Sequence, residues 1–185
     1  RINVIGTSGS GKTTFSRQLA EILNIPFIEM DALYWGPNWR PAEEEDFHFR
    51  LSEALSKPDW VLDGNYSRTT QLKWKRVEAV IWLDFSFPRT LFQAISRAGQ
   101  RLRSQQELWP DTGNRESLRM LFSKDSIVLW TITSYRSRKQ KIHSWMRDPT
   151  YQHIQFHQLR SPQDAAAFLK AVREEPQVLY RDRMI

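Results

Sequence analysis

Eight residues near the start of the chain, GTSGSGKT at positions 6–13, fit the pattern G-x-x-x-x-G-K-[ST]. Glycines in such a loop permit backbone angles that turn successive N–H groups into one concavity, which attracts anions. A lysine in this position reaches the β- and γ-phosphates of a nucleotide, and the hydroxyl that follows is placed to ligate Mg²⁺. We therefore predict a loop that binds ATP and Mg²⁺, called the ATP loop below. Its expected contacts are Gly6, Ser8, Gly9, Ser10, Gly11, Lys12, Thr13 and Thr14.

The alternative is an ordinary turn rich in glycine and serine. Its context argues against a turn, because residues 2–5 read as a short buried strand and apolar side chains recur at helical spacing after the loop. Those apolar side chains are Phe15, Leu19, Ile22 and Leu23. Asn24, followed by Ile25-Pro26, is a helix-stop signal. Strand, loop and helix therefore occur in the order that a nucleotide site requires.

Length and composition exclude several classes of protein. The chain has 185 residues, a net charge of +6 and no cysteine. This length suits one domain with a sizeable core, and the lack of cysteine excludes disulfides, thiolate zinc sites and a cysteine nucleophile. No apolar run approaches the ~20 residues of a membrane span. Since the ATP loop begins at Gly6, we expect no signal peptide before it, and we expect a cytoplasmic protein without a membrane partner.

Apolar runs alternate with helical patterns along the chain, which is typical of a parallel sheet with crossover helices. Strands are predicted at residues 2–5, 27–29, 60–63, 79–84 and 153–157. Beyond the helix after the ATP loop, helices are predicted near residues 43–56, 88–104, 116–142 and 162–172. We expect one domain over residues 1–174, with a short lid inserted at about 104–115 and a poorly ordered tail at 175–185.

The predicted helix at 116–142 carries an apolar stripe that we interpret as a core face. Its members are Leu118, Leu121, Phe122, Leu129, Ile132, Tyr135 and Ile142.

Two carboxylates, Asp63 and Asp84, end predicted strands. Ligands of open α/β sheets bind outside the carboxyl ends of the strands, and phosphoryl transfer needs an acidic residue that orients Mg²⁺. We favour Asp63, together with Thr13, for the metal, because Gly64 after it would let a ligand approach the backbone. The alternative for each carboxylate is that it caps the next turn.

Arginines flank the lid in pairs. Arg97 and Arg101 are four residues apart and share a helix face, and Arg115 and Arg119 repeat this spacing beyond the lid. We expect Arg97, Arg101 and Arg115 to bring positive charge onto the transferring phosphate when the lid closes. The loop between the pairs borders no predicted core position, so we expect it to be free to move. The alternative for each arginine is a solvated surface position.

An aromatic segment follows the second predicted strand. Asp31 is placed at the carboxyl end of that strand, and Tyr34, Trp35, Trp39 and Arg40 follow it. An aromatic loop with an arginine suits a pocket for the acceptor of the phosphoryl group. The alternative is that the two tryptophans pack under the loop.

Three segments taken together resemble the adenylate-kinase-like branch of P-loop kinases: GTSGSGKT, WVLDGNYS and VIWLDFSFPRTLFQAISR. In that branch a strand ending in Asp-Gly is followed by a second strand ending in Asp and by a helix that bears the first lid arginine. Asp63-Gly64, Asp84 and Arg97 stand at those places. More specifically, MDALYWGPNW, DGNYS and GNRES resemble the family of topology modulation proteins, or adenylate-kinase-related ATPases. The resemblance covers about residues 2 to 169.

This resemblance implies an α/β fold with three layers, like that of nucleoside-monophosphate kinases. It further implies a five-stranded parallel sheet in the order 2-3-1-4-5, with ATP and Mg²⁺ as ligands. Adenylate kinases carry Asp-Gly-Phe-Pro-Arg, whereas Asp63-Gly64 is followed here by Asn65-Tyr66-Ser67, so Arg68 would take the place of the arginine. The expected acceptor site comprises Asp31, Tyr34, Trp35, Arg40, Gly64, Tyr66 and Arg68.

Asp31 bears on the identity of the acceptor. A nucleoside monophosphate offers an oxygen that is already ionised and needs only cations around it, for which Arg40 and Arg68 are candidates. A hydroxyl acceptor carries a proton that an aspartate can take. Because of the resemblance we favour a kinase with a nucleotide-like acceptor, with a small-molecule hydroxyl kinase as the alternative.

A third class is a DNA-associated regulatory ATPase, which the positive charge would suit. No helix-turn-helix, zinc-finger or RNA-recognition signature is visible in the sequence, and nucleic acid is therefore not favoured as a partner.

Overall fold

The computed structural model describes residues 1–105, 107–116 and 127–183. Its sheet has five parallel strands: β1 (Ile2–Gly6), β2 (Phe27–Glu29), β3 (Val61–Asp63), β4 (Ala79–Leu83) and β5 (Gln155–Leu159). The strand order is β2-β3-β1-β4-β5, with Ile2 in register with Val61 on one side and with Ala79 on the other. The predicted fold class and strand order are confirmed.

Seven α-helices connect and cover the strands in the described residues. They are α1 (Lys12–Leu23), α2 (Met30–Tyr34), α3 (Glu44–Leu55), α4 (Thr70–Trp74), α5 (Phe87–Ser104), α6 (Ile127–Arg147) and α7 (Pro162–Glu174). Short 3₁₀ helices lie at Pro37–Trp39, Ser67–Thr69, Pro149–Tyr151 and Pro176–Arg183. The sequence did not predict α2 and α4, because five residues are too few to show a helical period. None of the described helices is both long enough and apolar enough to span a membrane.

The core has two parts, one on each face of the sheet. One face packs against α1 and α7 through side chains such as Leu19 and Val172, and the other packs against α3, α4 and α6. Because both faces are covered, β1 and β4 are buried at every position, which is typical of central strands in a parallel sheet. Loops at the carboxyl ends of these strands then carry the polar residues considered below.

Residues 176–183 depart from the sequence prediction of a poorly ordered tail at 175–185. The 3₁₀ helix Pro176–Arg183 places Leu179 in the core on the α1 and α7 face, where its side chain is 1% exposed. Its carbonyl oxygen also lies 3.1 Å from Nε2 of His157 on β5. The prediction is corrected for this segment because the buried Leu179 side chain and the contact of its carbonyl oxygen with the His157 ring hold it to the domain.

The apolar stripe predicted for residues 116–142 is also corrected. Leu129 and Ile132 are 43% and 47% exposed, whereas Thr131 and Ile142 are buried. Positions 131 and 142 are separated by about three helical turns, so the inward face of α6 runs through them and leaves Leu129 and Ile132 to the side. Three predicted members lie outside the described residues: Leu118, Leu121 and Phe122.

Candidate active site

The ATP loop joins the end of β1 to the first turn of α1, whose N-terminus attracts anions. Gly9 has a φ of +85°, and a Cβ there would lie 2.7 Å from the carbonyl oxygen of Thr90, so only glycine fits. Nζ of Lys12 donates a hydrogen bond of 3.3 Å to the carbonyl oxygen of Thr7. Desolvation lowers the pKa of Lys12, and the charge of Asp63 opposes that shift. The other predicted phosphate contacts lie in the same loop and turn: Gly6, Ser8, Ser10, Gly11, Thr13 and Thr14.

Thr13 and Asp63 meet beside this loop. The Thr13 hydroxyl donates a hydrogen bond of 2.6 Å to Oδ2 of Asp63, which is 4% exposed. Within the described part of the chain, Oδ1 of Asp63 is buried and has no hydrogen-bond partner. Burial raises the pKa of Asp63 to about 6, although Lys12 and the Thr13 hydrogen bond oppose the shift.

These two residues fit a magnesium ion. Mg²⁺ prefers oxygen ligands and is usually held by one or two protein groups together with water and substrate phosphates. The unpartnered oxygen of Asp63 and the hydroxyl of Thr13 supply such oxygens. Among the described residues there is no group of three or more His, Cys, Asp or Glu that could hold a metal by itself.

Asp84, the second strand-end carboxylate, is engaged within the fold. Its Oδ2 accepts hydrogen bonds from Nζ of Lys139 at 2.9 Å and from Nε2 of Gln158 at 2.7 Å. These contacts tie β4 to α6 and β5, so Asp84 has structural partners in place of the turn cap considered from the sequence.

Asp31 lies at the start of α2, and its carboxylate lies close to several charged groups. The Tyr66 hydroxyl donates a hydrogen bond of 2.7 Å to Oδ1 of Asp31, and burial together with that carboxylate raises the pKa of Tyr66. The negative charge of Asp31 also opposes the lowering of the pKa of Lys12, Arg97 and Arg138. Asp31 thus interacts electrostatically with three cations from the ATP loop, α5 and α6, although Asp63 acts more strongly on Lys12 and Glu116 more strongly on Arg97.

Arg138 on α6 was not among the site residues predicted from the sequence. Desolvation lowers the pKa of Arg138, as it does for Arg97, because both guanidinium groups are largely removed from water. The signal was its spacing: Arg138 lies seven residues after Thr131 and four before Ile142, on the inward face of α6.

Of the other lid arginines, Arg101 lies near Arg97, because its positive charge further lowers the pKa of Arg97. Arg101 lies 3.6 Å from the buried Glu116, in an ion pair that spans the lid. Arg115 is exposed, and Arg119 lies outside the described residues. Catalytic roles for Arg101 and Arg115 remain predictions.

Two predicted acceptor arginines lie at the surface. Arg40 is exposed, and the guanidinium of Arg68 is 3.9 Å from Glu44, with both side chains more than 60% exposed. Gly64 is packed against Met30, since a Cβ at Gly64 would lie 2.7 Å from that side chain. The requirement for glycine here therefore comes from packing.

Aromatic rings pack around Tyr66. Tyr34 and Tyr66 have ring centroids 4.9 Å apart, and with Phe47, His48 and Arg68 they border a cavity of about 110 Å³. Trp35 and Trp39 contact each other with ring centroids 5.8 Å apart, which favours the alternative that these two rings pack under their own loop.

The lid, which was expected from the sequence to be free to move, contacts the end of β2 and the segment that follows α2. Nε1 of Trp109 donates a hydrogen bond of 3.2 Å to Glu29, and the Trp109 ring centroid is 5.7 Å from that of Trp39. The Asn114 side chain bridges two backbone groups at 2.9 Å each, accepting from the N–H of Trp39 and donating to the carbonyl oxygen of Gly36. The lid and the segment 36–39 thus form one docked surface.

Comparisons with known proteins identify the fold. No protein-family model matches the sequence, and no curated protein matches it. Among solved structures, the chain is similar to a shikimate kinase from Acinetobacter baumannii in complex with shikimate, with a TM-score of 0.60 and 16% identity over 100% of this chain and 94% of that one. It is also similar to a shikimate kinase from Bacteroides thetaiotaomicron, with a TM-score of 0.52 and 15% identity over 96% of this chain and 98% of that one. A gluconokinase from Sinorhizobium meliloti gives a TM-score of 0.48 and 19% identity over 97% and 96% of the two chains.

At these identities the similarity shows the fold, which is that of P-loop kinases. The finer assignment to adenylate-kinase-related or topology modulation proteins stays a prediction.

Proposed function

We propose that this chain is an ATP-dependent phosphotransferase that transfers the γ-phosphoryl group of ATP to a hydroxyl group of a small molecule. One observation carries the proposal: the carboxylate of Asp31, held by Tyr66 at 2.7 Å, lies within electrostatic reach of Lys12, Arg97 and Arg138. An aspartate beside the cations that meet a transferring phosphate is placed to accept the proton of an attacking hydroxyl.

The other residues of the candidate site would bind the nucleotide and Mg²⁺ and stabilise the transferred phosphoryl group. The ATP loop and Lys12 would bind the β- and γ-phosphates, and Arg97 and Arg138 would stabilise the charge that develops on the transferred group. Thr13 and Asp63 would hold Mg²⁺, which when bound neutralises phosphate charge and helps to keep the phosphates in line. The kinase names of the structural neighbours support this general reaction.

A hydroxyl acceptor is preferred to the nucleotide-like acceptor favoured from the sequence, because Asp31 interacts electrostatically with Lys12, Arg97 and Arg138, whereas Arg68 lies 3.9 Å from Glu44. The shikimate kinases among the neighbours support the same preference. A nucleoside monophosphate remains the second candidate, since Arg97 and Arg138 are placed where they could bind a phosphate.

The test is a phosphoryl-transfer panel of small hydroxylated metabolites and nucleoside monophosphates, assayed with the wild type and Asp31→Asn. We expect transfer to a hydroxyl, with kcat about 10²- to 10⁴-fold lower in Asp31→Asn because the general base is lost. Asp46→Asn is the matched control, because Asp46 is an exposed carboxylate on α3 that pairs only with Arg50 among the described ion pairs. We expect this control to behave like the wild type.

Two outcomes would overturn the preference. Transfer to a nucleoside monophosphate that survives Asp31→Asn would establish the second candidate. ATP hydrolysis stimulated by DNA, without transfer to any member of the panel, would favour the regulatory ATPase.

A further inference from the structure

Residues 64–66, which follow β3, are called the acceptor loop below. We propose that Asn65 and Lys73 are positioning residues that join the ATP loop and the acceptor loop in one rigid unit. The proposal goes beyond the reaction assigned above and rests on only its nucleotide-binding part.

The first contact is a two-point clamp between Asn65 and Gly6. The N–H of Gly6 donates a hydrogen bond of 3.0 Å to Oδ1 of Asn65, and Nδ2 of Asn65 donates one of 2.6 Å to the carbonyl oxygen of Gly6. Two opposed bonds to the same residue fix the orientation of both peptide groups that flank its Cα. Because Gly6 opens the ATP loop, its orientation sets the direction in which the following N–H groups point.

The second contact holds Asn65 itself. Lys73 on α4 is 1% exposed, and its Nζ donates hydrogen bonds of 2.5 Å to the carbonyl oxygen of Asn65 and 3.4 Å to that of Gly64. Nδ2 of Asn3 on β1 donates to the same Gly64 oxygen at 3.2 Å. Among the described residues, no carboxylate forms an ion pair with Lys73, and the charge that acts on it is that of Arg138. The hydrogen bonds of its buried amine are therefore made mainly to these backbone oxygens.

The acceptor loop therefore has a partner on each side. Asn65 holds Gly6 of the ATP loop, and the next residue, Tyr66, holds the carboxylate of Asp31. Any displacement of the acceptor loop would move the start of the ATP loop and the proposed base together. Loss of the clamp should weaken nucleotide binding even though neither Asn65 nor Lys73 is expected to touch the nucleotide.

The experiment titrates a non-hydrolysable Mg²⁺·ATP analogue by calorimetry into the wild type, Asn65→Leu, Lys73→Met and the double variant. Asn65→Leu keeps the side-chain volume and removes both hydrogen bonds to Gly6, so we expect the Kd to rise about 5- to 100-fold. Lys73→Met should raise it in the same direction. The double variant should be no weaker than the weaker single variant, because both changes break one connected unit.

Thr70→Val is the matched control. Thr70 is buried on the same helix, and its hydroxyl donates to the carbonyl oxygen of Ser67 at 2.9 Å, away from Gly6. We expect Thr70→Val to lower the Tm, because a buried hydrogen bond is lost, and yet to bind the analogue like the wild type. Comparison with Thr70→Val separates a positioning role from a general loosening of α4. If Asn65→Leu does not fold, Lys73→Met tests the proposal independently.

If Asn65→Leu binds the analogue as tightly as the wild type, or if the two losses of affinity add fully in the double variant, the proposed clamp is wrong. The proposed function would be unaffected by either result. A wild type that binds no analogue would overturn both.

Discussion

At the scale of single residues, the buried carboxylate of Asp63 lowers the stability of the folded state, and the same carboxylate is the proposed ligand of Mg²⁺. One oxygen accepts from Thr13, and the other is buried without a partner in the described residues. Burial raises its pKa from 3.8 to about 6, which means that the folded state disfavours the charged carboxylate. Between these two values the folded state binds more protons than the unfolded one, so stability falls as pH rises and the full cost is present above about pH 6.

We therefore expect Asp63→Asn to have a higher Tm than the wild type at pH 8 without nucleotide, and to lose that advantage near pH 4. It should also lose the Mg²⁺ dependence of nucleotide binding. Thermal unfolding at the two pH values, with and without Mg²⁺·ATP, measures both effects. A lower Tm for Asp63→Asn at pH 8 would contradict the cost assigned to the buried charge.

Arg97 and Arg101 offer a matched pair on α5. Arg97 interacts electrostatically with Glu116, Asp31 and Asp63, whereas Arg101 forms an ion pair with Glu116 at 3.6 Å. We expect Arg97→Ala to lower kcat about 10²- to 10³-fold through loss of charge stabilisation in the transition state, and Arg101→Ala to lower it less than about tenfold. Steady-state kinetics with the acceptor identified by the panel measures the difference, and equal losses would show that the two arginines share one role.

At the scale of elements, the docked lid links two loops that are far apart in sequence. Asn114 bridges Gly36 and Trp39, and Trp109 reaches Glu29 at the end of β2. The lid thus lies against the segment that follows Asp31, so its closure and the shape of the acceptor site should be coupled.

Asn114→Ala removes both bridging hydrogen bonds from the lid. We expect the KM of the acceptor to rise about tenfold as the docked surface loosens, while Mg²⁺·ATP affinity changes by less than about twofold. Acceptor and ATP titrations on the same preparation separate the two constants. A selective loss of ATP affinity would instead assign this contact to the nucleotide site.

At the scale of the whole molecule, more of the fold than of the candidate site could be predicted from the sequence. The apolar runs at 60–63 and 79–84 predicted strands because central parallel strands are buried on both faces, whereas β5 begins two residues later than predicted. Arg138 could not be placed from charge alone, since its role depends on which face of α6 turns inward. The clamp between Asn65 and Gly6 joins residues 59 positions apart, and no local pattern predicts such a contact.

The most direct test of the account is calorimetric titration of Mg²⁺·ATP into the wild type and Lys12→Ala. Lys12 is the cation of the ATP loop, and every proposed role in the site depends on a nucleotide held there. We predict saturable binding at one site in the wild type and at least about tenfold weaker binding in Lys12→Ala, with folding preserved. Equal affinities in the two proteins, or no binding to the wild type, would contradict the assignment of this chain as an ATP-dependent phosphotransferase.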